Sequence, residues 1–430
     1  MHRAAWTRAR PALRRSAMAL SACSLAACST SSTASSSDAQ STSATTKRWW
    51  FYSGKLDQSL VDRSKLVIFG GSSYPELAHD ICELLGTEVG AVSLGRYADG
   101  ECNVEMQEQV EGKEVFIVTN TNSNDGLVEL LLMVSAAKRA SAQHITAVLP
   151  FYGYARQDRR FRREPLAAAD VALMLEAMGV DRVLSVDMHS SQIQGFFSPD
   201  RPVDNIMPLG VASAYFAEII GETDFDERGM RRRVVVVAPQ EGQVARAHMF
   251  KEHLRDYLEK GDGDIPEVAI AFVARSETKA RDEAEVQNHK HLIGDVAESF
   301  CILVDDLVDT GGTIENAVGL LKGAGAQQVA AFASHGRFSK GGLERVVALD
   351  ALDFLVVTNT LPHRDARGQL IDWSSRGKVR QLSLAPLLAE SIKRAAYPEL
   401  VHPTEYLVPG SASNLRQRST RVAANPEYRG

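Results

Sequence analysis

Nine short runs of apolar, mostly β-branched or aliphatic residues recur along the chain, each separated from the next by a stretch with helical spacing. Four come early, at 65–69 (KLVIF), 115–119 (VFIVT), 145–150 (ITAVLP) and 182–188 (RVLSVDM). Five follow at 234–239 (VVVVAP), 268–273 (VAIAFV), 300–306 (FCILVDD), 328–334 (QVAAFAS) and 352–358 (LDFLVVT). Runs that are apolar on both faces read as strands covered by two layers, and intervening helices make their connections parallel crossovers. The spacing predicts helices over 75–85, with Leu77, Ile81, Leu84 and Leu85 on one stripe, and over 125–140 behind Asn124 as N-cap. Further helices are predicted over 165–178, from Pro165 to a stop at Gly179, and over 313–324, stopping at Gly325. The series runs twice, with a Pro- and Asp-rich break near 199–210. This predicts an α/β protein of two similar doubly wound domains with mostly parallel sheets, at 54–204 and 205–395, each with its own core, then a tail at 396–430. Segments 221–233 and 259–266 read as charged surface loops.

The densest chemistry follows the seventh run. In 302–314 (ILVDDLVDTGGTI) a strand ends in Asp305 and Asp306, and Asp309, Thr310, Gly311, Gly312 and Thr313 open a helix. Glycines let the backbone turn tightly, helix-start N–H groups point at an anion, and threonine hydroxyls add donors. The acid pair suits the vicinal hydroxyls of a ribose, or a metal held over them; an ordinary capped turn with solvated acids is the plainer alternative. No GxxxxGK[ST] P-loop occurs.

Several further segments stand in a fixed order: RYADGE (96–101), NDGLVELLLMVSAAKR (124–139), PFYGYARQD (150–158), SVDMHSSQIQGFF (185–197), SHGRFS (334–339), LVVTNTLP (355–362) and LSLAPLLAESI (382–392). Together with the TGGT element they resemble the ribose-phosphate diphosphokinase family, also called phosphoribosyl pyrophosphate synthetases, from about Lys65 to about Glu390. The resemblance implies a phosphoribosyltransferase-like fold and transfer of the diphosphoryl group of ATP to the 1-hydroxyl of ribose 5-phosphate, with Mg²⁺ bridging phosphate oxygens. It implies ATP contacts at Tyr97, Asp99, Glu101, Arg156 and Gln157, and ribose 5-phosphate contacts at Asp305, Asp306 and Asp309–Thr313. Metal ligands are implied at His189, Asp187 and, more weakly, Asp204, and transition-state cations at Lys279 and Arg281 on a mobile loop. Arg159, Arg160, Arg162 and Arg163 fit either allosteric or ATP phosphate contacts. The family binds ATP between subunits, which implies a dimer-based homo-oligomer, commonly a hexamer, or a hetero-oligomer with related subunits.

One segment departs from the pattern. Where the family has Ser-Pro-Asp, one further residue and Gly-Gly, this chain has Ala238-Pro239-Gln240-Glu241-Gly242-Gln243. Gln240 replaces a carboxylate with a neutral amide, which weakens a Mg²⁺ site that has few protein ligands, and Gln243 adds bulk. Besides an active synthase, the sequence therefore admits a catalytically weak associated subunit; a base phosphoribosyltransferase is the third reading.

Net charge is −6, and the acid-free first 37 residues hold five arginines, so the remainder is more acidic still. That argues against a nucleic-acid coat or a membrane-surface binder, and no later stretch is apolar for long enough to cross a bilayer. Residues 1–50 read as a disordered targeting extension, an organellar transit peptide in preference to a secretory signal because an ATP-using site needs an ATP-rich compartment; a cytoplasmic protein is the alternative. The five cysteines show no CxxC or zinc spacing, which fits a reducing compartment.

Overall fold

A computed structural model describes residues 61–397 apart from 63, 224–231, 260–264, 280–285, 372 and 374–376. The first half runs β1 (Leu66–Gly70), α1 (Pro75–Leu85), β2 (Val92–Arg96), β3 (Cys102–Met106), β4 (Glu114–Val118), α2 (Asn124–Arg139), β5 (His144–Leu149), α3 (Ala167–Met178), β6 (Arg182–Val186), β7 (Val203–Ile206) and α4 (Leu209–Thr223). The second runs β8 (Val234–Ala238), α5 (Val244–Leu258), β9 (Val268–Lys279), β10 (Val286–Ile293), β11 (Phe300–Val308), α6 (Gly312–Gly323), β12 (Gln328–Gly336), α7 (Gly342–Val347), β13 (Phe354–Thr358), β14 (Val379–Leu382) and α8 (Ala385–Ala396).

Each half is a doubly wound sheet, as the alternating pattern predicts. The first has the order β1-β4-β5-β6-β7, all parallel. The second has the order β10-β9-β8-β11-β12-β13-β14, parallel except where β10 runs against β9. A separate antiparallel hairpin joins β2 and β3. Beyond Phe272, β9 no longer pairs with β8 and continues with β10 alone as a two-stranded ribbon.

Because both faces of each sheet are apolar, each needs two covering layers. One cluster lies on the α2–α3 side of the first sheet and another on the α6–α7 side of the second. The third is shared: residues of β1, α1, β4 and α4 pack with residues of β8, α5, β11, β12 and α8. The expected pair of separate cores therefore becomes two outer cores and one common core, since each half lends the other its second cover. Phe216 and Phe354 stack at 5.8 Å, Phe250 and Phe332 at 5.9 Å, and Phe216 meets Phe250 edge-on. Removing one such ring costs about 3–5 kcal/mol.

Local signals are mostly met. Gly86 and Gly179 close α1 and α3 in the left-handed conformation. The cap of α2 is Ser123, whose hydroxyl accepts from Gly126 N, while Asn124 is the first helical residue. The α3 helix starts at Ala167, two residues after Pro165. Parts of the segments read as charged loops lie outside the described residues.

Candidate active site at the seam of the two sheets

The strands of both sheets end at one seam, and polar side chains meet there. β6 ends at Val186, and Asp187 takes a left-handed φ of 38°, a conformation Asp adopts more readily than most residues. Its carboxylate is buried and fully engaged. Arg246 of α5 grips it with two nitrogens, at 2.5 and 3.2 Å, and Ser334 donates to the same group. His335 lies 3.1 Å from the Asp187 carbonyl oxygen. Asp187 is therefore the anchor of a buried cation, and each of its oxygens already accepts a hydrogen bond.

Two residues on, His189 reaches across the seam and places Nδ1 2.6 Å from Asp306 Oδ2, at the end of β11. The other Asp306 oxygen accepts 2.8 Å from the amide of Gln243. Asp305 and Asp306 are both buried. Burial together with the neighbouring Asp306 charge pushes the Asp305 carboxyl well above the usual range. Burial acts on Asp306 too, but the His189 hydrogen bond and the Arg246 charge outweigh it and hold that carboxyl low. The same hydrogen bond raises His189. The pair thus holds one fixed acceptor and one group disposed to carry a proton.

The turn that follows has the form of an anion cradle. Gly311 sits at φ 79°, where a side chain is strained, and caps α6. The first N–H groups of α6 lack intrahelical partners, and the Thr310 and Thr313 side chains beside them are exposed. Asp309 accepts from Arg156 at 2.8 Å through one oxygen, while the other is buried and has no hydrogen-bond partner. Arg156 comes from the loop after β5, where a Cβ on Gly153 would fall 1.8 Å from the Thr121 carbonyl oxygen, so only glycine lets the loop pack so closely. Asn120 binds the halves together, donating to Thr360 O and accepting from Phe151 N. Gln157 is exposed beside Arg156.

Other expected residues stand apart. Tyr97, Asp99 and Glu101 shape the β2–β3 turn, with Tyr97 N donating to Glu101 O and Glu101 N to Asp99 Oδ1. Tyr97 is 56% exposed, and the hairpin is tied to α2 through Arg96 and Asp125 at 3.3 Å. Asp204 is not brought to His189. On β7 it pairs with Arg182 at 3.8 Å, while the adjacent Asn205 turns inward to accept from Met188 N, since successive strand residues face opposite ways. Lys279 ends β9, opposite Val286 on the ribbon, and Arg281 lies outside the described residues. Among the described residues no three His, Cys, Asp or Glu side chains converge as a metal cage.

Sequence reasoning missed Arg246 and Asp158. The i, i+3 spacing of Gln243 and Arg246 at a helix start was the available signal for the first. Asp158 is buried, accepts from Gln192, and keeps one oxygen without a hydrogen-bond partner.

Comparison with known proteins places these elements in context. Residues 66–179 match the model of the N-terminal domain of ribose phosphate pyrophosphokinase, and residues 231–402 match the phosphoribosyl synthetase-associated domain. A ribose-phosphate pyrophosphokinase from Ralstonia nicotianae is 43% identical over 333 residues, covering 76% of this chain and 94% of that protein. One from Haemophilus influenzae is 41% identical over 338 residues, covering 78% and 97%. The crystal structure of phosphoribosylpyrophosphate synthetase from Mycobacterium smegmatis superposes with a TM-score of 0.64 at 36% identity, covering 77% of this chain and 98% of that one.

Proposed function

The chain belongs to the ribose-phosphate pyrophosphokinase family, and from that premise we propose that it transfers the diphosphoryl group of ATP to the 1-hydroxyl of ribose 5-phosphate at the seam. The observation that carries this placement is the turn after β11, where two buried carboxylates precede a glycine-bent helix start flanked by exposed threonines. The helix-start N–H groups and the Thr310 and Thr313 hydroxyls receive the 5-phosphate. Asp305 and Asp306 hold the ring hydroxyls.

In the transfer, the 1-oxygen forms a bond to the β-phosphorus as the bond from that phosphorus to the α,β-bridging oxygen breaks. AMP leaves with the bridging oxygen and its electron pair, and the hydroxyl proton is released. The protein contributes placement and charge. Arg156, tethered by Asp309, sets a nucleotide cation beside the sugar's anion site, and Gln157 adds a planar amide. The exposed Tyr97 offers a face for adenine, with Asp99 and Glu101 as polar contacts. Lys279 and Arg281 supply cations to the moving group.

Mg²⁺ fits as an ion that arrives with the nucleotide. It needs only one or two protein ligands and completes its shell with phosphate oxygens and water. The Asp309 oxygen without a hydrogen-bond partner and His189 would be the residues to hold it. When bound, the ion neutralises phosphate charge.

Val128 and Leu132 on α2 and Leu173 and Met174 on α3 are exposed apolar side chains, and they support burial against a second copy in a dimer-based homo-oligomer or a hetero-oligomer. No helix among the described residues is long and apolar enough to cross a membrane. The arginine-rich start supports import into an ATP-containing organelle, which a reporter fused after residue 50 tests by its location.

Purified protein should release AMP only when ATP, ribose 5-phosphate and Mg²⁺ are all present. No AMP release, or release at the same rate without the sugar phosphate, overturns the assignment.

A further inference from the structure

We infer that Gln243 is a positioning residue for the sugar: its amide links Arg246 to Asp306 and fixes the direction from which that carboxylate meets the ribose hydroxyls. The inference rests on the sugar-phosphate reading of the β11 turn.

Gln243 stands where the family motif has its second glycine, yet it is not a tolerated surface change. It is 3% exposed, and a buried amide must find partners at both ends. Arg246, one helical turn on, donates to its Oε1, and its Nε2 donates 2.8 Å to Asp306 Oδ1. Guanidinium only donates and an ionised carboxylate only accepts, so the amide can sit in one orientation alone. Arg246 uses its Nε and Nη2 on Asp187. One buried cation therefore serves Asp187 directly and Asp306 through the Gln243 relay.

The second Asp306 oxygen is taken by His189 at 2.6 Å. The carboxylate is thus gripped at both ends, by β8–α5 of its own half and by the β6 loop of the other. Each carboxylate oxygen has two lone-pair directions, and with Gln243, His189 and the neighbouring Asp305 side chain on this carboxylate one remains for a sugar hydroxyl. The ligand this favours is a pentose phosphate, whose hydroxyl is met by an acceptor with its plane already set. A glycine at this position supplies neither the donor to Asp306 nor the acceptor for Arg246.

Two variants test this. Gln243→Met keeps the length and volume of the side chain but loses the amide, and Gln243→Gly removes the side chain. Each should raise the KM for ribose 5-phosphate about 10- to 100-fold, as loss of a hydrogen bond to a charged group implies. The KM for ATP should stay within about twofold, because the amide faces the sugar carboxylate. Circular dichroism reports which variants fold, and either folded variant suffices. An unchanged KM for ribose 5-phosphate, or an equal rise for both substrates, overturns the role of Gln243. Thr310→Ala, measured in parallel, separates this from the parent reading. If Thr310→Ala also leaves sugar-phosphate binding unaltered, the site assignment fails; if it weakens binding and the Gln243 variants do not, only the positioning role fails.

Discussion

Arg156 and Asp309 lie 153 residues apart in the chain and meet at 2.8 Å, one from each half of the molecule. The contact joins the loop carrying the arginine proposed to face the nucleotide to the turn proposed to hold the sugar phosphate. On that proposal it sets the spacing between the two reactants. Both partners are partly solvated, so the pair adds little to folding; exposed ion pairs contribute about 0–1 kcal/mol. Its worth lies in placement.

Arg156→Ala should leave the melting temperature within a few degrees of wild type while lowering kcat/KM by about 10²–10³, the range seen when one transition-state cation or donor is removed. Paired calorimetry and AMP-release assays check it. A large loss of stability with proportionate activity loss would assign the contact to folding instead.

Asp187→Asn should act through stability. It leaves the buried Arg246 without its counter-charge, a change of about 3–5 kcal/mol, read as a fall in the denaturation midpoint. The Mg²⁺ concentration giving half-maximal rate should be unchanged in whatever protein remains folded. A variant of normal stability with weakened Mg²⁺ dependence would restore Asp187 as a ligand.

Lys279→Ala should lower turnover about 10²–10³-fold with no change in melting, because it sits on a two-stranded ribbon outside the main sheet, and such ribbons add little to global stability. Near-normal turnover would remove Lys279 from the reaction.

His363 packs edge-on against Trp373 at 4.9 Å and beside Phe338, and burial pushes its pKa down to about 4. The unfolded value is near 6.5, so the unfolded state takes up the proton first as acid is added. The neutral ring's contribution is complete above about pH 6.5 and is lost as pH falls from there toward about 4. His363→Phe, which cannot titrate, should flatten the pH dependence of the melting temperature in that window. An identical slope in the variant would show that His363 plays no part in it.

Much of the fold was legible because its central strands are apolar on both faces, a pattern that few other structures produce. All nine such runs became strands. The strands that escaped, β2, β3, β7, β10 and β14, have no continuous apolar run, as in VQNHKHLI of β10, and so carry no two-faced signature. The TGGT turn was legible for a similar reason, since its acids, glycines and threonines are adjacent in the chain and their chemistry follows from that adjacency.

The chain order alone thus determined two wound sheets, a helix start shaped for an anion and an acid pair before it, because local spacing decides such features. Tertiary structure decided which acids are free. Asp187 is engaged by Arg246 across 59 residues of chain, and Asp204, the weaker metal candidate, pairs with Arg182 on the outer side of β7. It also decided that the halves share a core and that Gln243 meets Asp306. Those outcomes depend on which distant groups compete for the same buried space, and no local pattern records that competition.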